Sequence, residues 1–142
     1  MNNPTISIII PVFNVEKYVK ETLISVKNQS SRPDEVIIIN DGSTDDSFRI
    51  VKDLSDSGSW KIFETKNQGL GLTRNYGKSL AKGDYIYFLD SDDILDHNFI
   101  FDMRNLIKIY NQPDVILFSG KPFSNNKIPQ HKINLKFSID GQ

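Results

Sequence analysis

The feature that most constrains this chain is a set of short apolar runs that do not alternate with polar residues. Ile6-Ser7-Ile8-Ile9-Ile10 is β-branched almost throughout, and Val36 to Ile39, Tyr85 to Leu89 and Val115 to Phe118 are nearly continuous in the same way. A strand with one wet face alternates, whereas runs like these suit strands covered on both faces of a parallel sheet. Pro11 cannot donate to a ladder and is expected to close the first strand. A weaker strand is expected at Trp60 to Thr65.

Between the runs the apolar period lengthens to that of a helix. Asn14 is a candidate N-cap for a helix with Val15, Val19, Leu23 and Val26 on one face, ending at Asn28. Phe48, Val51 and Leu54 repeat the spacing after Ser43 or Thr44. Thr73, Tyr76, Gly77 and Leu80 predict a third helix, ended by Gly83. Asp96 is a candidate cap for a fourth, with Phe99, Met103, Leu106, Ile107 and Tyr110 on its face. Strands alternating with helices imply right-handed crossovers and an α/β fold: a mostly parallel sheet with helices on both faces. From Gly120 onward the pattern fails. Residues 1–119 are therefore read as the folded domain, and residues 120–142 as an incomplete or poorly ordered segment.

Composition narrows the classes of partner. With 17 basic and 18 acidic side chains in 142 residues there is no net field to attract nucleic acid or an anionic membrane nonspecifically. The absence of cysteine excludes disulfides and thiolate metal sites and fits a reducing compartment, so a cytoplasmic location is expected. The run from Ile6 to Val12 is far short of a bilayer span. No transmembrane segment is expected, which leaves peripheral association with the inner face of the cytoplasmic membrane open.

In open parallel sheets ligands bind beyond the carboxyl ends of the strands. Three polar clusters fall there: Pro11-Val12-Phe13-Asn14, Asn40-Asp41-Gly42-Ser43-Thr44-Asp45-Asp46, and Asp90-Ser91-Asp92-Asp93. Turn and cap chemistry uses the same residue types, so composition alone does not make them a site. The third cluster is different, because Asp90, Asp92, Asp93 and Asp96 repel one another unless something neutralises them. A calcium loop of the EF-hand type is not expected, because Ile94, Leu95 and Phe101 stand at positions that favour Asp or Asn, Gly and Glu. Oxygen donors without sulfur or paired histidine favour Mg2+ or Mn2+, which usually bind through few protein ligands plus substrate phosphates. That points to a diphosphate. No P-loop and no Gly-x-Gly-x-x-Gly follows the first strand. Asn67 to Asn75, with Gly69, Gly71 and Arg74, is a weaker candidate for phosphate contact, since the glycines also suit a plain turn.

Taken together, SIIIPVFN, DEVIIINDGSTDDS, NQGLGLTRNYG and GDYIYFLDSDD resemble, in order and spacing, the N-terminal portion of family-2 glycosyltransferases of GT-A fold, a group that includes many bacterial polysaccharide enzymes. The resemblance covers roughly residues 5 to 118. It implies a UDP-sugar donor, with Pro11, Phe13 and Asn14 beside the nucleoside and Asp41 on the uracil ring. It places Arg74 near the donor's phosphates or sugar, Asp90 near the ribose or sugar with Ser91 beside it, and Asp92 on a bound Mn2+ or Mg2+. It further implies transfer with inversion to a saccharide or lipid-linked acceptor. The general base is expected downstream of the Asp-x-Asp motif, so no catalytic residue is assigned here and Asp140 is not nominated. His97 and His131 are read as surface or cap residues, and Tyr85, Tyr87, Phe88 and Trp60 as core. Two alternatives stand beside the enzyme: a UDP-sugar-binding module inactive on its own, and an α/β domain with acidic loops and no ligand, as in receiver-type signalling domains.

Overall fold

The computed structural model describes residues 3–55, 60–118 and 120–122. Strands β1 (Ile6–Val12), β2 (Glu35–Asn40), β3 (Trp60–Glu64) and β4 (Tyr85–Phe88) alternate with helices α1 (Val19–Lys27), α2 (Ser47–Leu54), α3 (Leu70–Leu80) and α4 (Phe99–Ile109). The strands form one parallel sheet in the order β3-β2-β1-β4.

That order follows from handedness. From β1 to β3 the chain moves in one direction across the sheet, so right-handed crossovers put α1 and α2 on one face. The step from β3 to β4 runs the other way, so α3 lies on the opposite face. The core divides accordingly. Ile6, Ile8, Ile10, Val36 and Ile38 pack with α1, α2 and α4, while Ile9, Ile37 and Ile39 face the side of Phe63 and Leu80. Both central strands are buried along their whole length, which is why their sequences do not alternate.

Gly77 sets the depth of α3 on the sheet, since a Cβ there would come within 2.4 Å of the Ile9 Cγ2 atom. At the amino edge, Glu35 accepts from Ser7 Oγ at 2.6 Å, from Lys61 Nζ at 2.6 Å and from the Lys82 N–H at 2.8 Å, tying β1, β2, β3 and the turn before β4 together.

Several expectations are corrected. Pro11 does not end β1, which continues to Val12. The missing N–H is tolerated because β4 pairs with β1 only as far as Ile9, leaving the ladder at Pro11 on the β2 side alone. The run from Val115 to Phe118 does not join the sheet among the described residues: Ile116 and Phe118 pack on the core while Val115 and Leu117 are exposed. Phe88 is 37% exposed rather than core, because α3 does not extend over β4. Tyr85, Tyr87 and Trp60 do pack against the core. Asn14 does not cap α1, which starts at Val19. Residues 120–122 carry no helix or strand, and His131, Asp140 and the rest of the 123–142 segment lie outside the described residues.

Candidate functional site

The carboxyl ends of β1, β2 and β4 share one edge, where β4 lies on the far side of β1 from β2 and β3. Such a reversal of strand order opens a crevice at the sheet edge. Beyond β1, Phe13 is 45% exposed, and Asn14 adopts a left-handed backbone with φ of 49°. This bend turns the β1 loop onto the β2 loop. Asn14 Oδ1 accepts from the Thr44 N–H at 2.8 Å, the Val15 N–H donates to Ser47 Oγ at 2.8 Å, and the Glu16 N–H donates to Asp45 Oδ2 at 3.1 Å. The Asp46 N–H returns a bond to Glu16 Oε2 at 3.0 Å. Asp45 also accepts from the Ser47 N–H at 2.9 Å, so the acidic tail of the second cluster organises the start of α2.

Asp41, 3% exposed, turns its carboxylate onto the loop after β3. It accepts from Thr65 Oγ1 at 2.9 Å, the Gln68 N–H at 3.1 Å and the Gly69 N–H at 3.0 Å. Burial pushes the Asp41 carboxyl up, but these donors, with the Thr73 hydroxyl, outweigh it and hold the carboxyl below its ordinary range. Gly42 follows with φ of +74°, and a Cβ there would meet the Asn67 backbone nitrogen at 2.9 Å. Asp41 and Gly42 thus seat the 65–69 loop and, through Gly69, the start of α3.

From the second turn of α3, Arg74 reaches across the edge and forms an ion pair with Asp90. The acidic cluster therefore draws part of its neutralising charge from the protein itself, and a metal is not its sole source of positive charge. Arg74 neutralises Asp90 only. Among the described residues neither Asp92 nor Asp93 makes an ion pair. The Asp93 carboxyl is pushed up by burial, then by Asp92 and Asp90. The Tyr87 phenol is pushed up to about 12 by burial, then by Asp93 and Asp90. The field at this loop is negative.

No group of three or more His, Cys, Asp or Glu side chains among the described residues could hold a metal unaided. One or two exposed carboxylates at Asp92 and Asp93 fit a hard cation only if a ligand such as a diphosphate supplies the remaining oxygens.

The structure thus brings Phe13, Asn14, Asp41, Arg74, Asp90, Ser91 and Asp92 to one edge, with Pro11 buried in β1 beneath them. Other contributors were not singled out from sequence: Thr65 and Gln68, which receive Asp41, and Thr22, Ser25 and Gln29, which hold the loop after β4. The signal for the second group is their i, i+3, i+7 spacing beside the apolar stripe of α1. His97 is exposed and its carbonyl accepts from the Ser30 N–H, consistent with a surface position. A cavity of about 50 Å³ lined by Val26, Pro33, Val36 and Trp60 lies near the other edge of the sheet and is too small for a nucleoside.

A parallel sheet that collects an Arg–Asp pair, free carboxylates and an exposed aromatic ring at its carboxyl edge has the layout of an open α/β domain with a polar ligand crevice. The description "Glycosyl transferase family 2" matches residues 7–139. The chain belongs to that family. It is 48% identical over 97 residues to an uncharacterized glycosyltransferase of Haemophilus influenzae, covering 67% of this chain and 39% of that protein. It is 38% identical over 104 residues to the putative glycosyltransferase EpsH of Bacillus subtilis, covering 72% of this chain and 30% of that protein. Among solved structures it resembles residues 1–349 of S. aureus TarS in complex with UDP-GlcNAc, with a TM-score of 0.77 and 31% identity over 89% of this chain and 37% of that one. The chain therefore spans well under half the length of these relatives. No helix among the described residues is long and apolar enough to cross a membrane.

Proposed function

We propose that this chain forms the donor side of a glycosyltransferase that takes a UDP-sugar and transfers the sugar with inversion to a saccharide or lipid-linked acceptor. The observation that carries the reading is the Arg74–Asp90 pair beside Asp92 and Asp93, one cation among three carboxylates on the edge where a parallel sheet binds ligands. The likeness to TarS, solved with UDP-GlcNAc and with UDP, supports the choice of uridine.

In this reading Phe13 offers its exposed ring to the nucleoside, with Pro11 and Asn14 fixing the loop that carries it. Asp41 stays ionised at neutral pH and accepts from the uracil imide N–H, which cytosine lacks, while seating the 65–69 loop against the ligand. Arg74 serves the phosphates or sugar, and its ion pair keeps Asp90 oriented toward the ribose or sugar, with Ser91 beside it. Asp92 would hold Mn2+ or Mg2+, with the donor's diphosphate supplying the remaining oxygens, and a cation so held would supply Lewis-acid stabilisation of negative charge on the leaving diphosphate. Residues 1–119 act as the donor-binding domain.

Calorimetry with UDP, ADP and GDP in the presence of Mn2+ tests the reading. UDP is expected to bind at least about tenfold, or 1.4 kcal/mol, more tightly than either purine nucleotide. Equal affinity for UDP and ADP removes the basis for Asp41 reading the base.

A further inference from the structure

We infer that Thr22 and Ser25 on α1, with Gln29 just beyond its end, form a polar clamp that positions the acidic loop for its cation and diphosphate. The inference rests on reading the 90–93 loop as the site of those ligands.

The clamp consists of side chains on one rigid segment meeting backbone groups of one loop. Thr22 Oγ1 donates to the Ser91 carbonyl at 2.9 Å. Ser25 Oγ accepts from the Leu95 N–H at 3.0 Å while donating to the Thr22 carbonyl at 2.7 Å. Gln29, just past the end of α1, donates from Nε2 to the Asp96 carbonyl at 2.6 Å and accepts at Oε1 from the Ile100 N–H at 3.0 Å. The loop is thus held at both ends and at its middle.

Two observations separate this from ordinary packing. Thr22 is 1% exposed and Gln29 7%, positions where apolar residues normally sit. A helix Thr commonly turns its hydroxyl back to its own helix carbonyls, yet Thr22 spends that bond on the loop. The place of contact also matters. Ser91 stands between Asp90 and Asp92, so fixing its carbonyl fixes the Ser91–Asp92 peptide plane from which the Asp92 side chain projects, while the Asp93 N–H holds the Asp90 carbonyl at 3.0 Å. Ser91 is itself buried, and its carbonyl finds no ready water if the hydroxyl is removed. A site of this kind works only if the groups that aim it are themselves locked by rigid elements.

Thr22→Val keeps the shape of the side chain and removes the donor, and Thr22→Ser keeps the donor. Backbone amide exchange without ligand is measured over residues 91–100 and over β1 and β2. Calorimetry then gives the affinity for UDP with and without Mn2+. In Thr22→Val, exchange is expected to rise over residues 91–100 only, and the Mn2+-dependent gain in UDP affinity to fall by about tenfold, with metal-free affinity unchanged. Thr22→Ser is expected to restore both. Exchange that rises equally in β1 and β2 with the Mn2+-dependent gain intact overturns the inference, because Thr22 is then a stability residue. Should Thr22→Val fail to fold, Ser25→Ala, at a half-buried position, is read in the same way. An unmutated chain without any Mn2+-dependent gain overturns the ligand assignment, and the exchange map still decides whether the clamp exists.

Discussion

Replacing Asp41 with Asn separates what the charge does from what the shape does. The substitution preserves the outline of a side chain that is 3% exposed, but an amide has one acceptor atom where the carboxylate has two. With its oxygen kept toward Thr65 Oγ1 and the Gln68 N–H, the new NH2 confronts the Gly69 N–H, donor against donor. One charge-assisted bond, worth about 1.5–3 kcal/mol, is lost, and two others drop to the neutral range of about 0.5–1.5 kcal/mol. Relief of the buried charge and exposure of Gly69 to water offset part of this. The net loss is about 2–3 kcal/mol at neutral pH, a fall in Tm of roughly 6–12 °C for a domain of this size. The folded-state pKa of Asp41 lies below its ordinary 3.8, so the charge contributes stability above 3.8 that is lost as pH falls through the folded value. The gap between parent and Asp41→Asn should therefore be constant near neutrality and close below pH 3.8. Thermal melts followed by circular dichroism across this range check it. A variant as stable as the parent, or a gap that does not change with pH, refutes the argument that the charge holds the 65–69 loop.

Glu35→Gln should cost about 1–2 kcal/mol in urea unfolding, because the bonds from Ser7 and Lys61 lose their charged acceptor. Burial raises the Glu35 carboxyl but Lys61, Ser7 and Lys82 lower it further, so this contribution too is present above the ordinary value of 4.5 and lost in acid. UDP affinity should not change, since this network sits at the opposite edge of the sheet. Gly77→Ala should destabilise by about 1–3 kcal/mol, because the new methyl group meets Ile9 and Ile39 and lifts α3 from the sheet. A Gly77→Ala chain with an unchanged urea midpoint would show that α3 has room to spare.

The sequence made the sheet legible because β1 and β2 are buried on both faces, and a run such as Ile8-Ile9-Ile10 has no other comfortable home. The same inference misread the rim. Tyr85 to Phe88 and Val115 to Phe118 look alike in sequence, yet one pairs with β1 and the other lies outside the ladder, a difference set by which neighbours are available rather than by side-chain pattern. At the site, the positions of Asp41, Arg74 and Asp90 at strand ends were readable. Their partners were not. Nothing in the linear order announces that Asp41 turns to Gly69, that Arg74 neutralises Asp90, or that Thr22 meets Ser91, since these contacts join elements 16 to 69 residues apart. Asn14 shows the same limit, a cap residue by type that instead ties two loops together.

The most direct test of the central claim is the coupling between UDP and Mn2+. Binding of each ligand must change the affinity for the other by the same factor, and couplings between sites are typically about 1–3 kcal/mol. Titrating UDP into the chain with saturating Mn2+ and again with a chelator, in parent and Asp92→Asn, measures that factor. The account predicts UDP binding at least about fivefold tighter with Mn2+ in the parent, and no difference in Asp92→Asn. UDP affinity that is the same with Mn2+ and with chelator in the parent would contradict it.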